Sequence, residues 1–359
     1  MKSFTTLLLI TGAAFSTHAT IRTVSNDPQN PAQFTTIQAA VNAAVAGDTI
    51  YVNASNTIYS ENVSVTKRLV LIGGGYKSSS QLNFRTFVNR IDMPFLGSNN
   101  PSGTVITGFE IGNIASATTG SLPISNIRIF RNLIGSLNTY GSNWEIYNNI
   151  LTGTLNLTQS TANIFVRNNI FASTFISGSS TGPASTLIDH NIFLESFGQA
   201  LNNLQNATLT NNIFAFSSTS AFVIDGGTRL NTFNNNLCST VSISNVPPTN
   251  SFSSNANLES GNLVGVNPQF INVPNFANYD ANANYRLQTG SPARNAGTDG
   301  TDLGIYGGLY PFPSGGAPGS GFDTSAFPPI PQVTSLNIQN SNITPGTQLR
   351  VQIQATTNN

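Results

Sequence analysis

The chain has 359 residues, only 8% of them charged, and a formal net charge of zero. With no clustered Lys and Arg it offers no basic surface to nucleic acid and no electrostatic attraction to an anionic membrane. A single cysteine, Cys238, excludes an internal disulfide, so stability must come from packing and hydrogen bonding.

In chain order, Met1-Lys2 is followed by an apolar run through Leu7-Leu8-Leu9-Ile10 to Phe15, and then by Thr17-His18-Ala19. A positive start, a short apolar stretch and a small-x-small site read as a secretory signal peptide over residues 1–19. The protein is therefore expected to begin near Thr20, to be secreted or held at the cell surface, and to keep His190 as its only histidine. No later stretch reaches about 18 uninterrupted apolar residues, so no membrane span is expected. Next, Phe34 to Asp48 reads as a capped amphipathic helix. Thr35 or Thr36 suits its N-cap and Gly47 its C-cap, and Ile37, Val41, Ala44 and Val45 form one apolar face. Such a helix covers the open end of a stacked β-structure, whose unpaired edges otherwise invite aggregation. Asp48 to Asn53 then reads as the start of the first coil, continued by Val63–Val65, Leu69–Tyr76 and Val105–Ile111.

A repeat dominates the middle of the chain. Six segments align on one asparagine: Asn132 (Ile-Arg-Ile-Phe-Arg-Asn-Leu-Ile), Asn149, Asn169 (Ile-Phe-Val-Arg-Asn-Asn-Ile-Phe), Asn191, Asn212 and Asn236, at gaps of 17, 20, 22, 21 and 24 residues. A period near 20 fits one coil of a parallel β-helix; the leucine-rich-repeat pattern is absent and a propeller blade is about twice as long. Period-two alternation before each asparagine marks a strand with one buried face. Stacked coils place equivalent residues about 4.8 Å apart. An inward asparagine can then bond the amides above and below it, and can adopt the left-handed backbone of a sharp corner. Phe171, Phe193 and Phe214 form a second column, in which Cys238 takes a phenylalanine's place as a small buried hydrophobe. The regular Ile, Val, Leu and Phe exclude disorder. The fold class is all-β: a right-handed parallel β-helix over residues 20–310 with an N-terminal capping helix.

The segment Phe34 to Val52, the Leu71-Ile-Gly-Gly-Gly-Tyr76 turn, Thr107-Gly-Phe-Glu-Ile111 and the asparagine corners resemble the pectin-lyase-like superfamily. Asn267-Pro-Gln-Phe-Ile271, Tyr285 to Gly297 and Asp302 to Gly307 resemble the end of secreted bacterial β-helix proteins. The resemblance covers roughly residues 34–309 and implies the fold rather than an activity. Beyond it, residues 311–332 are a Pro/Gly/Ser-rich linker. The alternation of Val333, Leu336 and Ile338 with Leu349, Val351 and Ile353 predicts a C-terminal β-hairpin over residues 333–359. It is marginal alone and is expected to dock on the β-helix, or else on a surface partner.

Enzymes of this architecture mostly act on acidic polysaccharides. A lyase needs a cation site built from several carboxylates together with an Arg or Lys base, and a hydrolase needs paired carboxylates. Between residues 124 and 245 the only acids are Glu145, Asp189, Glu195 and Asp225, and the only bases Arg128, Arg131, Arg167 and Arg229. The motifs of polygalacturonases and of one large pectate-lyase family are missing, and Ile188-Asp-His190 matches a lyase tripeptide only within the ordinary repeat. Aligning the coils puts Phe130, Tyr147, Arg167, Asp189, Thr210 and Asn234 in one outward column, and Arg131, Asn148, Asn168, His190, Asn211 and Asn235 in the next. Arg167 and Asp189 are then close enough for an ion pair, worth under about 1 kcal/mol if exposed, with His190 at its edge. Alternatively, Tyr147, Arg167, Asp189 and His190 form a small substrate-binding site flanked by aromatics on which sugar rings stack. No metal cluster, phosphate loop, nucleotide fingerprint or cofactor motif is present in the sequence. The sequence thus describes a secreted β-helix that contacts a polysaccharide without a catalytic constellation. The alternatives are a lyase on uronic-acid polymers and a structural or adhesive surface module.

Overall fold

The computed structural model describes residues 19–76, 85–116, 122–172, 174–179, 185–195, 198–312, 331–338 and 351–357. The expected signal segment, but for Ala19, and most of the linker lie outside them. Between Ile21 and Val264 the chain winds into a parallel β-helix whose described strands share one hydrogen-bonded sheet. Along its first face the rungs are in register, so that Ile50, Leu71, Ile106, Ile129, Ile146, Val166, Ile188, Leu209 and Phe233 form one inward column, fully buried. Each comes from the alternation read in the sequence. After the corner, the second face stacks Ile150–Leu151, Ile170–Ala172, Ile192–Glu195, Ile213–Phe216, Leu237–Cys238 and Leu263–Val264. The Phe171, Phe193 and Phe214 rings lie 4.5 and 4.8 Å apart, matching the rung spacing. Cys238 continues that column, and burial pushes its thiol up to about 11.

The corner works differently from the expectation. The left-handed residue is the one before the ladder asparagine: Arg131, Asn148, Asn168, His190, Asn211 and Asn235 have φ between 51° and 59°. This division of labour frees the buried asparagine to hydrogen-bond in both directions. Asn169 Nδ2 donates to Asn191 Oδ1 (3.0 Å), to Ile146 O and to Arg167 O, while Asn169 Oδ1 accepts from Asn149 Nδ2 and from the Asn149 backbone N–H. The pattern recurs from Asn132 through Asn236 and continues to Asn262. A shorter ladder joins Asn231 to Asn257.

At the N-terminal end the helix spans Ile37–Ala43, shorter than expected; Thr36 Oγ1 caps it and Ile37, Ala40 and Val41 enter the core. Glu61 accepts from the Ile37 and Gln38 N–H groups, and Lys67 Nζ donates to the Val41, Asn42 and Ala44 carbonyls. Both charges therefore sit on the helix end whose orphan groups they satisfy. Residue Val45, expected inside, is exposed, because the helix has ended before it. The first coil starts earlier than Asp48: Ile21–Val24 pairs with Thr49–Val52, and the buried Asp48 holds Thr20, Val45 and Arg22 at this join.

The other end departs most from the sequence reading. Beyond Leu263–Val264 the described residues add no rung to the helix. Instead residues 266–312 fold back along the outside. Phe270, Tyr285, Ala293, Leu303, Ile305 and Phe312 cover the outward column Ile150, Ile170, Ile192, Ile213 and Leu237 in a second core. Alternation alone marks these isoleucines as outward, and the fold-back explains why they are apolar. The C-terminal hairpin forms, Pro331–Ile338 pairing antiparallel with Val351–Thr357. Its Ile338, Val351 and Ile353 are exposed.

Candidate functional site

The two outward columns flanking the corner meet different fates. Residues of the left-handed column are gripped by the returning segment, here called the strap, which runs opposite to the coil order. Asn235 donates to Ala296 O, Asn211 to Thr298 Oγ1, Asn168 to Ile305 O and Gly307 O, and Asn148 to Tyr310 O. Between them His190, 1% exposed, lies with Nε2 3.1 Å from Thr301 Oγ1 and 3.7 Å from Asp299 Oδ2. The Gly307–Gly308 backbone covers the ring: a Cβ on Gly308 (φ +73°) would lie 2.6 Å from Nδ1. On its other side Nδ1 is 2.9 Å from Asp189 Oδ1, although poorly aligned for a hydrogen bond. Thr210 Oγ1 (2.7 Å) and Asn211 Nδ2 (2.9 Å) donate to the same Asp189 oxygen. Burial pushes the Asp189 carboxyl up, but His190, Thr210 and Asn211 outweigh it and hold it below the usual carboxylate range.

The neighbouring face stays open around the coils at residues 126–167. Phe130 and Tyr147 stack face to face at 4.9 Å, and Tyr310 from the strap stacks on Tyr147 at 4.6 Å. Their faces are thus occupied by one another, and burial raises the Tyr147 phenol. Arg167 does not pair with Asp189. Its guanidinium lies 4.7 Å over the Phe165 ring and 5.9 Å from Tyr310, a cation–π placement. Phe165 in turn borders a cavity lined by Asn126, Arg128, Asn143 and Glu145. Arg128 and Glu145 are register partners on adjacent rungs, yet among the described residues no ion pair joins them. Asn163, Asn143 and Asn126 form an outer amide ladder along the rim, at 2.9 and 3.2 Å.

The four residues picked out by the sequence therefore divide into two pairs. Tyr147 and Arg167 belong to the open face, whereas Asp189 and His190 are part of the strap seam. The Arg167–Asp189 ion pair is replaced by the two sets of contacts above, because the strap delivers Tyr310 to one residue and seals the other. The alignment already contained the missed residues: two positions before the Phe130–Tyr147–Arg167 column lies a second outward column with Arg128, Glu145 and Phe165. What it lacked was the strap, which decides which outward positions meet solvent. Among the described residues no group of three His, Cys, Asp or Glu can hold a metal. Searches found neither a family model nor a curated protein that matches the chain.

Proposed function

We propose that this protein is an exported β-helix of the pectin-lyase-like kind that holds a glycan on the open face around Phe165. The observation that supports this reading is the Phe165 cavity itself. An aromatic ring backed by Arg167 stands beside a cation, an anion and a rim of amides. These are the groups that engage the C–H face and the hydroxyls of a sugar. Tyr147 contributes as the fixed wall behind Arg167 rather than as a stacking platform. Asp189 and His190 act at one remove, by seating the strap that carries Tyr310.

A lyase built on Arg167, Asp189 and His190 loses two of its three groups to the seam, leaving Arg167 alone. The test is a glycan array probed with the purified protein, followed by calorimetry on the best ligand. Phe165→Ala is expected to weaken binding at least tenfold, about 1.4 kcal/mol, without moving the melting temperature. Binding to no glycan, or unchanged binding by Phe165→Ala, overturns the proposal.

A further inference from the structure

We infer that the Phe165 cavity selects an uncharged, hydroxyl-rich glycosyl unit and discriminates against uronate polymers; the inference rests on the glycan reading above. It starts from Arg128 and Glu145. Both line the cavity, they occupy the same outward column on successive rungs, and they are not paired with each other. The charged lining is therefore balanced, one cation and one anion, and each remains available to a ligand.

A polyanion gains little from such a lining. Wherever a uronate carboxylate approaches Arg128, it also meets Glu145, whose side chain projects from the adjacent rung into the same cavity, and like charges held close together near a protein surface repel appreciably. A neutral polyol meets no such conflict. Glu145 accepts from two hydroxyls, and the Arg128 guanidinium donates to ring or hydroxyl oxygens. The outer ladder adds to the same balance. Asn143 Nδ2 donates to Asn126 Oδ1 and Asn163 Nδ2 to Asn143 Oδ1, so the rim is a row of uncharged amides, groups that both donate and accept. Phe165 supplies the apolar floor. Its other neighbour, Arg167, lies over that ring and near Tyr310 and is not one of the residues that line the cavity. Donors and acceptors in equal supply around one aromatic ring complement a hexose or pentose better than a carboxylated sugar.

The experiment compares neutral polymers (xylan and galactan) with polygalacturonate and alginate, by affinity electrophoresis and calorimetry at fixed ionic strength. It uses the wild-type protein, Glu145→Gln and Phe165→Ala, with circular dichroism as the control for folding. A neutral polymer is expected to bind at least tenfold more tightly than either polyuronate. Glu145→Gln should weaken the neutral ligand severalfold while strengthening polyuronate binding, so that the preference narrows from both sides. Tighter binding of polygalacturonate by wild type overturns the neutral assignment and leaves the glycan reading standing. Equal effects of Glu145→Gln on both classes also overturn it, since Glu145 would then not discriminate. Retention of no polymer at all overturns both.

Discussion

Asn169 has five hydrogen bonds ending on its side chain, and each partner is buried or partly buried. Truncation to alanine leaves the Asn149 N–H and amide, the Ile146 carbonyl and the Asn191 amide oxygen short of partners. An unsatisfied buried group costs about 1–3 kcal/mol, so Asn169→Ala is expected to lower stability by the upper end of that range in chemical denaturation. The exposed rim supplies the control. Asn126 sits in an amide ladder that is open to water and has a left-handed backbone (φ +61°); Asn126→Gly, which keeps that backbone unstrained, should cost less than about 0.5 kcal/mol. Equal losses at the two positions would mean that burial is not what gives the inner ladder its strength. Asp189 carries a pH signature. Its carboxyl titrates below its ordinary value of 3.8 in the folded protein, so its contribution is complete above that value and is lost as pH falls through the folded value. Strap protection measured by hydrogen exchange over residues 296–310 should decline as pH falls below 3.8, toward the lowered folded value, and Asp189→Asn should flatten that dependence.

At the scale of elements, most of the β-helix was legible because a two-residue alternation and a near-20-residue period both survive in the sequence from Ile127 to Cys238. The Phe171, Phe193, Phe214 column followed from the same period, and the capping helix from its N-cap threonine and apolar face. Three features were not legible, each for a physical reason. The first strand, Ile21–Val24, lies before the helix, and four residues carry too little pattern to be recognised. The left-handed corner residue varies among Arg, Asn and His, so chemistry did not mark it. The strap folds by contacts across as many as 162 residues (Asn148 with Tyr310), which no local signal encodes. Apolar outward positions such as Ile150, Ile170 and Ile192 were its one trace. Gly308→Val tests the strap directly, since the residue has φ +73° and its missing Cβ faces the His190 ring. The variant is expected to lose about 2 kcal/mol or more, as strained backbone and overpacking each destabilise by 1–3 kcal/mol. Limited proteolysis should then cleave within residues 296–312, while the coils stay resistant.

At the scale of the molecule, a stack of coils touches only its neighbours, and such arrays melt from their ends. Here the helix clamped by Glu61 and Lys67 closes one end, and the fold-back ties coils along the other half. Wild type should therefore unfold in one transition by calorimetry, and Gly308→Val should split off an earlier one belonging to the coils after Asn169. A single transition in both would show that the coils hold together without the strap.

The direction of the strap has a further consequence, for assembly in time. A chain made from its N-terminus lays down the coils in order, and the strap that follows them crosses them in reverse, from Asn235 back to Asn148. Each clasp presupposes the coil beneath it, so the strap closes only on a finished stack. A mis-threaded coil leaves it without a seat and exposes a stripe of isoleucines, a visible mark of failure for any protease at hand. The strap, which emerges after the coils it clasps, thus acts as their inspector.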